Sequence, residues 1–230
     1  MEPENTMEST KQRLLQAALP HVPFDGWSDA TLTAATAESG TPPGLARALY
    51  PRGGVDLALA YHHHGDDQMR QALAATDLAT LRFRDRIATA IRLRLQHADR
   101  ELVRRGSALF ALPHLAAEGT KAIWGTADAI WTALGDTSTD LNWYTKRASL
   151  SAVYGATVLY WMGDDSPDQA ETWAFLDRRI ETVMRFEATK ARFRENPVGK
   201  ALLAGPLKLL ERIHAPQPSQ DLPGRSMKGL

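Results

Sequence analysis

Cysteine is absent from the chain, which removes disulfides, thiol nucleophiles and thiolate metal ligands together. Net charge is missing as well, because 27 Lys and Arg are balanced by 27 Asp and Glu. Nothing in that balance attracts nucleic acid or an anionic surface, so an electrostatic partner has to be recognised locally. No run approaches the roughly 20 apolar residues that span a bilayer. The first ten residues, MEPENTMEST, lack the cationic start and apolar stretch of a secretion signal. The expectation is a chain that is soluble or lies against a membrane. Phosphate-cradling glycine loops and G-x-S-x-G elbows do not occur, and Ser, His and Asp are too scattered to form a triad. Neither a catalytic residue nor a cofactor is expected, and the chain does not read as an enzyme.

What is present is helical. A chain of 230 residues, 43% of them hydrophobic, can bury one sizeable core, and alternating β-branched strands hardly appear. The fold class is all-α. Ile87, Ile91, Leu95, Ala98 and Leu102 recur at steps of three and four, which predicts one helix from Ala72 to Arg105. Arginines crowd its other side, but Asp77, Asp85, Asp99 and Glu101 are interleaved with them, as on a solvated, paired face. A further helix opens at Ser166, with Pro167 at its first position and Gln169 closing a capping box. Its apolar seam is Trp173, Leu176, Ile180, Val183 and Met184. The chain divides into a tail to residue 10, a head over 11–60, a body over 61–195, an amphipathic helix over 196–214 and a tail over 215–230.

The head carries a pattern of helix, turn and short helix that resembles the helix-turn-helix of TetR repressors. Leu32 to Ser39 stands as the positioning helix, Gly40 as the turn and Pro43 to Tyr50 as the recognition helix. A groove-reading helix needs side chains that reach base edges and phosphates, and here only Arg47 qualifies. Residues 1 to 60 hold four cations against seven carboxylates, a surface that repels a duplex rather than releasing its counterions. The head therefore reads as a degenerate repressor fold that binds no nucleic acid. A plain three-helix unit remains the alternative.

Metal sites fare poorly. His62, His63 and His64 are consecutive, and on a helix their rings point about 100° apart, away from any common ion. A di-iron bundle uses two Glu-x-x-His motifs, and the chain has one, Glu211 to His214.

The stretch GDTSTDLNWYTKR, residues 135 to 147, combines a helix start with two aromatics and charge. Thr137 and Asp140 have capping-box spacing, predicting a helix from Thr139 to Met162. One face would hold Leu141, Ala148, Ala152, Gly155 and Leu159 and pack into the core. A second would hold Trp143, Arg147, Leu150, Tyr154 and Trp161, and aromatics around an arginine are the composition of a protein interface. The alternative is that this second face is core.

The segment IWTALGDTSTDLNWYTKRASLSAVYGATVLYWMGDDSPDQAETWAFLDRRIETVM closely resembles the lipid-binding accessory family of coenzyme Q biosynthesis, the ninth of the Coq series. The likeness extends upstream to Leu112 to His114 and faintly into the head. It implies a TetR-like fold, a homodimer, and an apolar pocket for isoprenoid quinones or other lipids. It also implies presentation of quinone intermediates to the demethoxyubiquinone hydroxylase, a membrane-bound di-iron enzyme. By the matching motif the partner patch falls on Asp140, Trp143, Tyr144 and Arg147, with Ile130, Leu150 and Tyr154 beside them. Ile87, Ile91, Leu95 and Trp124 are the residues expected to line the pocket. The implied location is cytoplasmic, at the inner face of a membrane, or the matrix side in a mitochondrion. A ligand-responsive TetR-type repressor is the competing function.

The C-terminal region fits a membrane surface. Asn196 and Pro197 open a helix in which Val198, Leu202, Leu203, Leu209, Leu210 and Ile213 form one face, opposed by Lys200, Lys208, Glu211 and Arg212. From Lys190 onward there are eight Lys and Arg against three acids, a net of plus five, which anionic lipid attracts. Packing of this helix on the chain's own core is the alternative. Pro206 should kink or split it.

Overall fold

The computed structural model describes residues 3–195 and 215–216, and over this span the chain is an all-helical bundle without a strand. Helices α1 (Pro3–Ala18), α2 (Val22–Asp25), α3 (Asp29–Ser39) and α4 (Pro43–Leu49) form the head. Helices α5 (Gly54–Ala74), α6 (Phe83–Gln96), α7 (Arg100–Phe110), α8 (Ala116–Ala133), α9 (Leu141–Met162) and α10 (Ala170–Glu195) form the body. The stretch expected to be an N-terminal tail is helical from Pro3, and Thr10 is already buried.

The head is built as its sequence suggests. Ser28 caps α3 by accepting the Thr31 N–H at 3.3 Å, and Gly40 ends it with a left-handed φ of 62°. Pro43 then starts α4. Leu14, Val22, Leu32, Ala46, Tyr50 and Leu57 make a core of their own, and the Tyr50 hydroxyl donates to the Lys11 carbonyl at 2.9 Å. The head meets the body through Trp27, whose indole N–H donates to the Leu102 carbonyl at 3.1 Å. The glycine pair before α5 is obligatory here. Gly53 adopts a φ of +58°, and a Cβ on Gly54 would lie 2.2 Å from the Trp27 carbonyl.

The single helix expected over Ala72–Arg105 is instead parts of three. α5 stops at Ala74, a loop follows, and α6 ends before Asp99, whose carboxylate accepts the N–H groups of Glu101 and Leu102 to start α7. The shared spacing hid the break. Ile87, Ile91 and Leu95 enter the body core, whereas Leu102 enters the head core. The arginine face is paired as read, with Arg82 and Arg84 on Asp85, Arg92 on Asp177, and Arg104 and Arg105 on Glu101. At the other end, Pro167–Gln169 form a single 3-10 turn before α10. Gln169 accepts from the Trp161 indole at 2.9 Å rather than closing a capping box, and Asp164 receives the Thr172 N–H instead.

The two faces of α9 are reversed relative to expectation. Arg147, Leu150, Tyr154 and Trp161 are buried, while Ala148 and Ala152 face outward and Leu159 is 67% exposed. Burial favours the face with more apolar area to remove from water, and Leu, Tyr and Trp carry far more of it than Ala or Gly.

Candidate functional site

Two features concentrate chemistry: a cavity in the body and the loop that opens α9. The cavity encloses about 380 Å³ among α5, α6, α7, α8 and α9. Trp27, Phe110, Ile123, Val158 and Leu159 give it apolar walls. One wall is polar. Arg94 Nε donates to Asp66 Oδ1 at 2.6 Å, Arg94 Nη2 to the His62 carbonyl at 2.9 Å, and Thr126 Oγ1 to Asp66 Oδ1 at 2.9 Å. His62 Nε2 lies 2.8 Å from Thr126 Oγ1 and 3.1 Å from the Ala122 carbonyl. Burial holds the His62 imidazole down to about 4, so it is neutral at physiological pH. Burial likewise raises the Tyr154 phenol. A second, smaller cavity of about 250 Å³ lies among α6, α9 and α10, lined by Phe83, Ile87, Trp131, Leu150, Ile180 and Met184.

The four residues expected to line one pocket do not converge. Leu95 lines the larger cavity and Ile87 the smaller, Ile91 is packed solid in the core, and Trp124 lines neither. The signal that could have found the larger cavity is the polar set on α5 and α6: Asp66 and Arg94 fall on otherwise core-facing positions. His62, dismissed as a metal ligand, belongs to that same wall. Among the described residues no group of His, Asp or Glu gathers to hold a metal ion.

In the second feature Asp140 caps α9 by accepting the Asn142 N–H at 3.0 Å, so the helix starts at Leu141 and Thr137 takes no part in the cap. Arg147 turns inward. Its Nε donates to Asp128 at 2.6 Å, and its Nη1 to Asp136 at 2.9 Å and to the Trp143 carbonyl at 3.2 Å. Lys146 adds a third cationic contact, donating to Asp136 at 2.7 Å. Burial works to raise the Asp136 carboxyl, but the Lys146, Ser138 and Arg147 donors outweigh it and hold it at about 2. The Arg147 guanidinium lies 4.0 Å from the centre of the Trp143 ring, which packs against Tyr144 at 4.8 Å and faces Trp124 at 6.0 Å.

The expected partner patch is therefore split. Asp140 is exposed and Trp143 and Tyr144 are half-buried at the surface. Ile130, Leu150 and Tyr154 are core residues, 0%, 4% and 3% exposed, and Arg147 is consumed by its own carboxylates. Ala215, placed by sequence in a tail, donates its backbone N–H to the Thr139 carbonyl at 2.9 Å in this same loop. The expected membrane residues Lys200, Leu202, Leu203, Lys208, Leu209, Leu210, Arg212 and Ile213 lie outside the described residues. No described helix is long and apolar enough to cross a membrane.

The head helices over a helical body with an internal cavity define the TetR-like class. A solved TetR transcriptional regulator from Nitrosomonas europaea superposes with a TM-score of 0.62 at 19% identity, covering 76% of this chain and 97% of its own. Within that class the sequence places the chain more narrowly. The COQ9 family model matches residues 116–187. The human mitochondrial ubiquinone biosynthesis protein COQ9 is 31% identical over 89% of this chain and 67% of its own length. The Bos taurus protein is 32% identical with the same coverage, and the Xenopus tropicalis protein is 32% identical over 77% of this chain and 58% of its own. The chain belongs to the COQ9 family.

Proposed function

We propose that this protein is a lipid-binding accessory protein of ubiquinone biosynthesis that takes isoprenoid quinone intermediates into the body cavity and presents them to the demethoxyubiquinone hydroxylase. The observation that carries this is the cavity of about 380 Å³, apolar except for one wall, within a COQ9-family body. Cavities of this size and lining bind hydrophobic ligands and use a few polar groups to orient them. The hydroxylase supplies the iron chemistry, so this chain needs neither metal nor catalytic residue. Trp143 and Tyr144, beside Asp140, are the surface a partner covers, since half-exposed aromatics next to charge have the composition of binding hot spots.

Three further assignments follow. The outward face of α9, with Ala148 and Ala152, packs against a second copy to give the homodimer. Residues 196–214 bind a membrane surface through their apolar and cationic side chains. The protein acts peripherally at the inner face of the membrane, which is the matrix side in a mitochondrion.

Repressor function has the fold in its favour and the charges against it. Arg47 is held by Asp29 at 3.0 Å, and Arg52 by Asp56 and Glu118. Both basic residues at the would-be recognition helix are engaged within the chain.

Organic extraction of the purified protein followed by mass spectrometry tests the reading. A co-purifying isoprenoid quinone is expected. An empty pocket with tight, salt-sensitive binding of duplex DNA would establish the repressor instead.

A further inference from the structure

The polar wall of the larger cavity is not what stability alone would select. A buried ion pair costs so much desolvation that well-packed apolar residues of similar volume often replace it without loss. Asp66 and Arg94 are 5% and 6% exposed, and Thr126 is fully buried beneath them. Asp66 and Thr126 lie in the interior of α5 and α8, and Arg94 reaches them from the last turn of α6.

Its hydrogen bonds are incomplete in a telling way. A guanidinium carries five N–H donors, and Arg94 spends Nε on Asp66 and Nη2 on the His62 carbonyl. Among the described residues Nη1 makes no hydrogen bond, although the side chain is 94% buried and lines the cavity. Gly65 gives this nitrogen its seat, because a Cβ there would stand 2.5 Å from Nη1. Donors left over on a buried cation beside an apolar cavity are half of a recognition site.

Charge then selects the missing half. Arg94 and Asp66 cancel, so the wall offers donors without net positive charge. A phosphate or carboxylate entering the cavity would be desolvated with no uncompensated cation to receive it, because Asp66 already neutralises Arg94 from behind. A carbonyl or phenol oxygen meets neither penalty. The exit is marked by Leu159, which lines the cavity and is two-thirds exposed.

We infer that the lipid sits head-in, with the oxygen of a neutral quinone or phenol ring accepting from Arg94 on its Gly65 seat and the hydrocarbon tail leaving past Leu159. This rests on the lipid reading above and adds to it an orientation, a head-group class and the residue that selects it.

Calorimetric titration of the full-length protein with decylbenzoquinone, decylbenzene and decyl phosphate separates the two. The quinone should bind about tenfold tighter than either of the others, the difference one hydrogen bond to a charged donor supplies. Replacing the pair by apolar residues, Asp66→Leu with Arg94→Met, should reduce the quinone to the affinity of decylbenzene. Gly65→Ala, which displaces the guanidinium and leaves the pair intact, should weaken the quinone selectively and serves as the test if the double variant does not fold. Equal binding of quinone and decylbenzene overturns the head-in orientation, and decyl phosphate binding as tightly as quinone overturns the neutral head group. Retained preference in Gly65→Ala and in a folded double variant overturns the role of Arg94. Failure of all three ligands to bind removes the lipid reading and the orientation with it.

Discussion

Arg147 is 2% exposed and held by two carboxylates, Asp128 on the more open side and Asp136 on the buried one. Asp136→Asn keeps the shape and removes the charge, leaving a buried guanidinium with one exposed partner. The loss should be about 3 kcal/mol, read as a lower urea midpoint at unchanged slope. His62 gives a second residue-scale test. Its folded value of about 4 lies below the usual 6.5, so between those limits the unfolded chain binds a proton that the folded chain refuses. Stability should fall as pH drops from 6.5 towards 4, by roughly 3 kcal/mol at the limit. Asp136 continues the loss below pH 4, because its depressed carboxyl stabilises the fold only while ionised. Chemical denaturation across this range should show the first decline vanish in His62→Phe.

At the scale of elements, backbone contact decides more than pattern. A Cβ on Gly54 meets the Trp27 backbone at 2.2 Å, whereas one on Gly44, inside α4, meets nothing within 4 Å. Gly54→Ala should cost about 2 kcal/mol or more, and Gly44→Ala should stabilise by about 0.5 kcal/mol, both measurable by thermal unfolding. The same distinction explains what was readable in advance. The head helices were legible because Gly40 and Pro43 act within a few residues of themselves. The α6–α7 break was not, since Ile87, Leu95 and Leu102 keep one spacing while serving two cores. The orientation of α9 was misread because an arginine at the centre of a stripe looks like surface until Asp128 and Asp136 are brought to it by a turn of chain. Asp66 and Arg94 lie 28 residues apart, and only the packing of α5 on α6 reveals them as a pair.

For the molecule as a whole, the outward α9 face makes assembly testable. Ala152→Glu places a charge on the proposed twofold contact, so sedimentation should report a monomer while helical circular dichroism is unchanged. Tyr144→Ala probes the other surface: hydroxylase affinity should fall roughly thirtyfold, about 2 kcal/mol, with a melting temperature close to wild type. Trp143 is less informative, because it also covers Arg147 and removing it would disturb the fold.

The salt-bridged loop before α9 has a kinetic meaning. Asp136 ties residues 136–138 to Lys146 and Arg147, and Asp140 fixes the helix start. The conformational entropy of ordering Trp143 and Tyr144 is thus spent during folding rather than at encounter. On the proposed function the partner meets a preordered patch, so docking should proceed in a single exponential phase whose rate rises linearly with concentration, without the plateau that a slow rearrangement imposes.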